Sequence, residues 1–177
     1  MKRSILLLAT ILISLAPVRA VDMFLKLTDI PGESTSIDHK DEIDIFSYSL
    51  GISNATTAIT GPSGAAKPKF EDITITKRVD KSSPLLMLNC AKGQPITQAV
   101  LTLARAGEKS TKFMVITLDN VIVSSVSSGS PAGSDVPTET VSLNYAKIKV
   151  EYYQQKPDGS VALAGTFAFD IATNKSL

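Results

Sequence analysis

His39 is the only histidine in this 177-residue sequence, and it stands in a polar stretch beside Lys40 and Asp41. Histidine is the usual general base of a Ser-His-Asp or Cys-His site, so a nucleophilic hydrolase is conceivable only through this residue. The carboxylates of Asp41, Glu42 and Asp44 are close in sequence, but an acid–base pair needs a cleft, and no cleft is indicated. Solvated surface charge is the favoured interpretation, and a hydrolase using these groups is kept as a third hypothesis.

Cys90 is the only cysteine, which excludes a disulfide within the chain. It falls on the apolar stripe of a predicted helix, which favours burial over pairing between chains. The sequence has no Cys/His spacing for zinc, and Gly61 and Gly64 are not followed by the helix that a phosphate-binding loop requires. We therefore predict no catalytic residue, no metal site and no cofactor.

The composition is that of a globular chain, with 44% hydrophobic and 20% charged residues and a formal net charge of +1. Aromatic residues make up only 6% and tryptophan is absent, which argues against a stacking platform for nucleic acid. A near-neutral charge gives no attraction to nucleic acid or to an anionic membrane surface. We expect a single domain over residues 21–177.

The first twenty residues have the layout of a signal peptide. Lys2 and Arg3 precede the apolar run 5–16, and Val18-Arg19-Ala20 forms a cleavage-type end, so we expect cleavage after Ala20. The apolar run is too short for a comfortable transmembrane span, and no stable membrane insertion is predicted. An uncleaved anchor, or a true start at Met23, stays open as an alternative.

The one convincing helix follows a predicted strand at 73–79. Serines and Pro84 favour a helix start, because a serine side chain can accept from free N–H groups and proline loses no hydrogen bond in the first turn. Gly93 is a natural end. The spacing places Leu86, Met87 and Cys90 on the core face. It leaves Leu85, Asn89 and Lys92 on the other face, where Leu85 is either a subunit contact or an isolated exposed leucine.

Alternating apolar residues predict seven or eight strands, the eighth arising if a bulge or bend at Asp119-Asn120 splits one of them. Residues 41–50 are apolar on both faces, with Ile43 and Ile45 on one face and Phe46, Tyr48 and Leu50 on the other. A hairpin turn is predicted at 157–159 and a frayed end at 174–177. The predicted strands are 23–30, 41–50, 73–79, 95–105, 112–127, 138–154 and 161–171. This pattern predicts a mainly β fold, an antiparallel two-sheet β-barrel or sandwich with one short flanking α-helix.

Two stretches of small residues, 51–69 and 128–137, interrupt the strands. A loop as long as the first is either functional or disordered in a compact domain. It is therefore either a floppy insertion or a segment that becomes ordered on contact with a partner.

Several segments together resemble the haemolysin-coregulated protein (Hcp) family, the tube subunits of type VI secretion. The most specific are Gly32-Glu33-Ser34, residues 79–84 (VDKSSP), and residues 139–144 followed by Ala146-Lys147-Ile148. The resemblance covers nearly all of 24–160, through the segments 24–53, 73–93, 99–103, 118–129 and 137–160. It implies a two-sheet β-barrel with one helix, no catalytic residues, and hexameric rings that stack into a hollow tube.

The same resemblance implies partners and surfaces. The tube would be driven by sheath proteins, carry a VgrG-like spike and hold small effectors in its lumen. Loop 51–69 corresponds to the family's extended loop, which reaches the neighbouring ring, with stacking candidates Ser53, Asn54, Gly61, Pro62, Gly64 and Lys67. The helix corresponds to the lumen side, with effector-facing candidates Leu85, Asn89 and Lys92.

The leader departs from the family, whose tube subunits are loaded from the cytoplasm. If the leader is cleaved, the protein is secreted or periplasmic; otherwise it is cytoplasmic and then secreted by the type VI system. The alternative function is a secreted or periplasmic β-sandwich binding module that is not coupled to a contractile machine.

Overall fold

The computed structural model describes residues 21–54, 67–106, 110–130 and 136–177, so the predicted leader lies outside the described residues. Within these ranges the chain forms one helix, α1 (Ser83–Lys92), and ten strands. The strands are β1 (Val21–Leu27), β2 (Ile43–Ser49), β3 (Ile52–Ser53), β4 (Lys69–Phe70), β5 (Ile73–Arg78), β6 (Ile96–Arg105), β7 (Thr111–Gly129), β8 (Thr138–Gln155), β9 (Val161–Asp170) and β10 (Lys175–Ser176).

Six of these strands close into an antiparallel barrel in the order β8-β5-β2-β1-β6-β7, because β7 pairs back onto β8. Strands β9 and β10 extend the sheet outward from the second half of β8. Strands β3 and β4 form a separate two-stranded ribbon. The predicted mainly β barrel with a single short helix is confirmed.

The core follows from period-two alternation, since every second residue of a strand points to the same side. The inward set is almost entirely aliphatic, and its removal from water is the main stabilising term of the fold. Its strand residues that are at most 1% exposed include Ile43, Ile73, Ile75, Ala99, Leu101, Ile116, Leu118, Val121, Val123, Val141, Leu143 and Ile148.

A register shift in β2 changes which residues face this core. The pairing with β5 slips between Ile45 and Ser47, so the alternation reverses there. Tyr48 therefore packs against the same core as Ile43 and Ile45, while Phe46 is 47% exposed. The prediction that Phe46 and Tyr48 share one face of this strand was wrong.

Helix α1 begins one residue before Pro84 and ends as predicted. Gly93 adopts the left-handed conformation (φ 59°), and its N–H donates to the carbonyl of Cys90. Ser82 occupies the N-cap position but makes no side-chain capping bond, so the predicted serine cap is not formed there. Among the described residues, no helix has the length and apolar character needed to span a bilayer.

Three turn and end predictions have different outcomes. The hairpin at 157–159 is confirmed, with Gly159 at φ 83° and the N–H of Lys156 donating to the carbonyl of Ser160. Asn120 has a positive φ of 53°, but β7 continues through it and is not split. The predicted fraying at 174–177 was wrong, because β10 pairs with β9 and the N–H of Leu177 donates to the carbonyl of Ala168.

Candidate functional site

The histidine considered for catalysis is held in a structural contact. Nδ1 of His39 lies 2.9 Å from Oε2 of Glu42, and its ring stacks on Phe24 with centroids 4.2 Å apart. Asp41 points elsewhere, to an ion pair of 3.2 Å with Lys81. Across the described ranges, no three His, Cys, Asp or Glu side chains are grouped so as to hold a metal ion. This geometry gives no support to the hydrolase hypothesis.

A charged cluster that the sequence analysis missed lies inside the barrel wall. Lys77 on β5 is fully buried, and its Nζ donates to Oε1 of Glu139 and to Oδ1 of Asp80, both at 2.8 Å. It also donates to the carbonyl of Arg78 at 2.7 Å and to the hydroxyl of Ser83 at 3.3 Å. Lys77 has the same strand parity as Ile73 and Ile75, so the alternation itself placed it in the core.

This cluster sets where α1 begins. The hydroxyl of Ser83 donates to Oε1 of Glu139 at 2.7 Å and accepts from the N–H of Asp80 at 3.0 Å. Oδ1 of Asp80 accepts from both the N–H and the hydroxyl of Ser82. The serines thus tie the helix start to the buried ion pair on β5 and β8, and the carboxylate of Asp80, not a serine hydroxyl, accepts from the N–H of Ser82.

The three segments that carried the family resemblance meet at this point. Oε1 of Glu33 accepts from the N–H of Lys81 at 3.0 Å, which joins residues 32–34 to residues 79–84. Glu139 joins residues 139–144 to residues 79–84 through Lys77 and Ser83. Segments far apart in sequence therefore build one junction between the barrel and α1.

The outer face of α1 carries the three residues predicted to face effectors. Leu85 and Lys92 are exposed, and Asn89 is half-buried with its side-chain amide donating to the carbonyl of Leu85 at 2.8 Å. Leu86 is buried in the core as predicted, but Met87 is 45% exposed, so its predicted place on the core face was wrong. Leu88 is exposed as well, which makes the outer face more apolar than expected. Cys90 is partly buried and packs against the core.

Three of the six stacking candidates can be located. Ser53 lies in β3 and Asn54 directly follows it, and both are exposed, as is Lys67 just before β4. The other three, Gly61, Pro62 and Gly64, lie outside the described residues. The located candidates thus stand at the open end of the β3–β4 ribbon.

A polar clamp fixes the base of this ribbon to the barrel. Asp72 accepts from the hydroxyl of Ser124 at 2.5 Å and from the side-chain amide of Asn144 at 2.8 Å. The hydroxyl of Tyr145 donates to the carbonyl of Glu71 at 3.1 Å. Burial, together with the Asp72 charge, raises the pKa of Tyr145 to about 12, because both disfavour the phenolate.

Comparison with known proteins agrees with this architecture. The family model described as "Type VI secretion system effector, Hcp" matches residues 24–152. Protein hcp1 of Pseudomonas aeruginosa is 44% identical over 143 residues, which cover 80% of this chain and 88% of that protein.

Solved structures of similar proteins share the fold. A structure of a type six secretion system protein has a TM-score of 0.83 at 28% identity, covering 89% of this chain and 100% of that chain. Hcp1 from Salmonella typhimurium has a TM-score of 0.71 at 28% identity, covering 89% and 99%. A binding module outside this family is not favoured. The chain belongs to the Hcp family of structural type VI secretion proteins.

Proposed function

We propose that this chain is a tube subunit of a type VI secretion system, which forms hexameric rings that stack into a hollow tube carrying small effectors. The observation that carries the proposal is the family match over 24–152, which spans α1 and nearly all of the six barrel strands. Sheath proteins and a VgrG-like spike are the partners that follow from this role. The protein acts through its surfaces and not through a reaction.

Light scattering coupled to size exclusion tests the first step. We expect a mass of six protomers, and negative-stain images with six-fold rings. A protein that stays monomeric at high concentration contradicts the proposal.

Ring stacking is assigned to the open end of the β3–β4 ribbon, with Ser53, Asn54 and Lys67 as the located contact residues. Lys67 is exposed and charged, so its reversal places a repulsive charge at the contact between rings without touching the barrel core. K67E should keep six-protomer rings but lower the amount of sedimentable tube. Tube formation unchanged by K67E would exclude Lys67 from the stacking contact.

The effector-facing surface is assigned to Leu85, Asn89 and Lys92 on α1. A single cysteine introduced by L85C into a C90S background reports on this assignment. A bulky maleimide that cannot enter a tube lumen should label L85C in single protomers and spare it in assembled tubes. Equal labelling in both states would place α1 outside the lumen.

Secretion distinguishes the contractile route from export through the leader. We expect the protein in the culture medium of a parent strain, and its loss from the medium when the sheath gene is deleted. Mass spectrometry of the native N-terminus gives the complementary result, since Val21 as first residue indicates a cleaved leader. Release that persists without the sheath, together with Val21, would favour the secreted or periplasmic binding module.

A further inference from the structure

Two separate surfaces of the described barrel expose large apolar side chains. The first is a cleft of about 540 Å³ where Phe46, Val79 and Val136 meet, and each of these side chains is exposed. They come from β2, from the residue after β5 and from the approach to β8. We call this surface the cleft.

The second surface is formed by β8 and β9 where they leave the barrel. Tyr152 lies opposite Gly165, and Val150 lies opposite Phe167, so these side chains share one face. Tyr152 and Phe167 are both exposed, at 48% and 40%. We call this surface the extension.

The extension also has an open strand edge. Strand β10 pairs only with Phe169 and Asp170, so residues 161–167 of β9 have no partner on that edge among the described residues. The stretch reads VALAGTF and contains neither a charge nor a proline, the two usual protections of an exposed edge. Such an edge is a natural site for a strand or face of another chain.

The two surfaces lie toward opposite ends of β8. Val136 lies just before the start of β8. Tyr152 is near the other end of the strand, and about 45 Å of strand separates it from Thr138 at roughly 3.3 Å per residue. Two different patches on one protomer produce a head-to-tail contact, and such contacts form a ring when the rotation from one protomer to the next closes. A single patch that met itself would stop at a dimer.

Charge favours the same pairing. The charged residues that line the cleft are Glu33, Asp44, Asp80 and Arg78, which leaves an excess of acidic groups. On the extension, Lys156 and Lys175 have no ion pair among the described residues, and Asp158 beside Lys156 leaves a smaller basic excess. An acidic excess on one surface and a basic excess on the other suit a contact between copies and oppose contact of a surface with itself.

We propose that the cleft of one protomer receives the extension of the next protomer in the ring, with Phe46 and Phe167 as the apolar anchors of the contact. The occupant of the cleft is thus a second copy of this chain. The inference rests on the proposed ring assembly and adds which two surfaces form it. Arg78, whose guanidinium lies 5.3 Å from the Phe46 ring centroid, holds that ring at the mouth of the cleft.

The test uses two variants that each disable one surface. F46E adds a carboxylate to a cleft already lined by Glu33, Asp44 and Asp80, and F167E places a charge on the apolar face of the extension. Because buried aromatic anchors carry much of the affinity of an interface, each variant should weaken ring association about 30-fold or more. Each variant alone should therefore be monomeric in sedimentation velocity where the native chain forms rings.

The decisive sample is an equimolar mixture of the two variants. F46E keeps an intact extension and F167E keeps an intact cleft, so the mixture can form one native contact and no second one. We expect a mixed dimer by native mass spectrometry and no larger species. L88E is the matched control, because Leu88 is exposed to the same 47% as Phe46 but lies on α1; it should keep rings.

The outcomes separate this inference from the proposed function. A native chain that stays monomeric removes the ring and the inference with it. Native rings that survive F46E or F167E, or that are lost equally in L88E, leave the tube subunit standing and overturn the assignment of surfaces. Folded variants whose mixture remains monomeric up to the solubility limit also overturn it.

Discussion

Replacement of Lys77 by methionine should destabilise the protein strongly. The Lys77 side chain is fully buried, and its ammonium lies within 2.8 Å of carboxylate oxygens of both Glu139 and Asp80. Methionine fills much of the same volume but leaves the fully buried Glu139 carboxylate without its cation. Breaking a buried pair by removing one partner costs about 3–5 kcal/mol of unfolding free energy.

Urea unfolding followed by circular dichroism measures this cost. With a typical slope of about 1–3 kcal/mol per molar urea, K77M should lower the midpoint by more than about 1 M. All variants are compared at one protomer concentration, because assembly adds to apparent stability. K26M is the control, since Lys26 is exposed on β1 and its loss should change stability by less than about 0.5 kcal/mol.

A double variant decides whether the buried charge is the cause. In K77M/E139L both members of the pair become apolar, so no uncompensated carboxylate remains at position 139, and the double variant should recover at least about 2 kcal/mol relative to K77M. A double variant as unstable as the sum of its single changes would refute the reasoning. So would a K77M protein within about 1 kcal/mol of the native chain.

Three further predictions concern Gly32 and the polar clamp at the base of the β3–β4 ribbon. Burial raises the pKa of Tyr145 to about 12, whereas the phenol ionises near 10 in the unfolded chain. The free energy of unfolding should therefore fall between pH 10 and 12, because only the unfolded chain loses the proton there. Y145F should remove the last step in the absorbance titration of the tyrosines. G32A should lower the free energy of unfolding by about 1–3 kcal/mol, because an added Cβ would lie 2.3 Å from the carbonyl oxygen of Glu42. The control is G129A, which has open space around the added Cβ and should leave the free energy of unfolding nearly unchanged in the same urea titration. D72A removes two hydrogen bonds at the base of the ribbon, so the rate of amide hydrogen exchange in β3 and β4 should rise about tenfold while the barrel amides stay protected. If the β3 and β4 amides exchange at the same rate in D72A and in the native chain, the clamp does not hold the ribbon.

The sequence was sufficient for those features that local chemistry decides. The alternation of Ile73 and Ile75 predicted an inward strand face, and Gly93 predicted the end of α1. Lys77 was missed because lysine is almost never fully buried unless paired, and its partner Glu139 is 62 residues away. Met87 was placed on the core face by helical spacing, but a ten-residue helix that buries only Ser83 and Leu86 contacts the barrel over a narrower stripe than the spacing assumes.

A register shift explains why the cleft could not be predicted from the chain alone. Phe46 lies at the shift between Ile45 and Ser47 in the pairing of β2 with β5. An extra residue in one strand turns a side chain away from the face that strict alternation would give it. Such a shift depends on how two distant strands pair, which no local pattern records. Phe46, the proposed anchor of the cleft, is left exposed at such a shift, so this irregularity in the barrel is also what presents the cleft to a second copy.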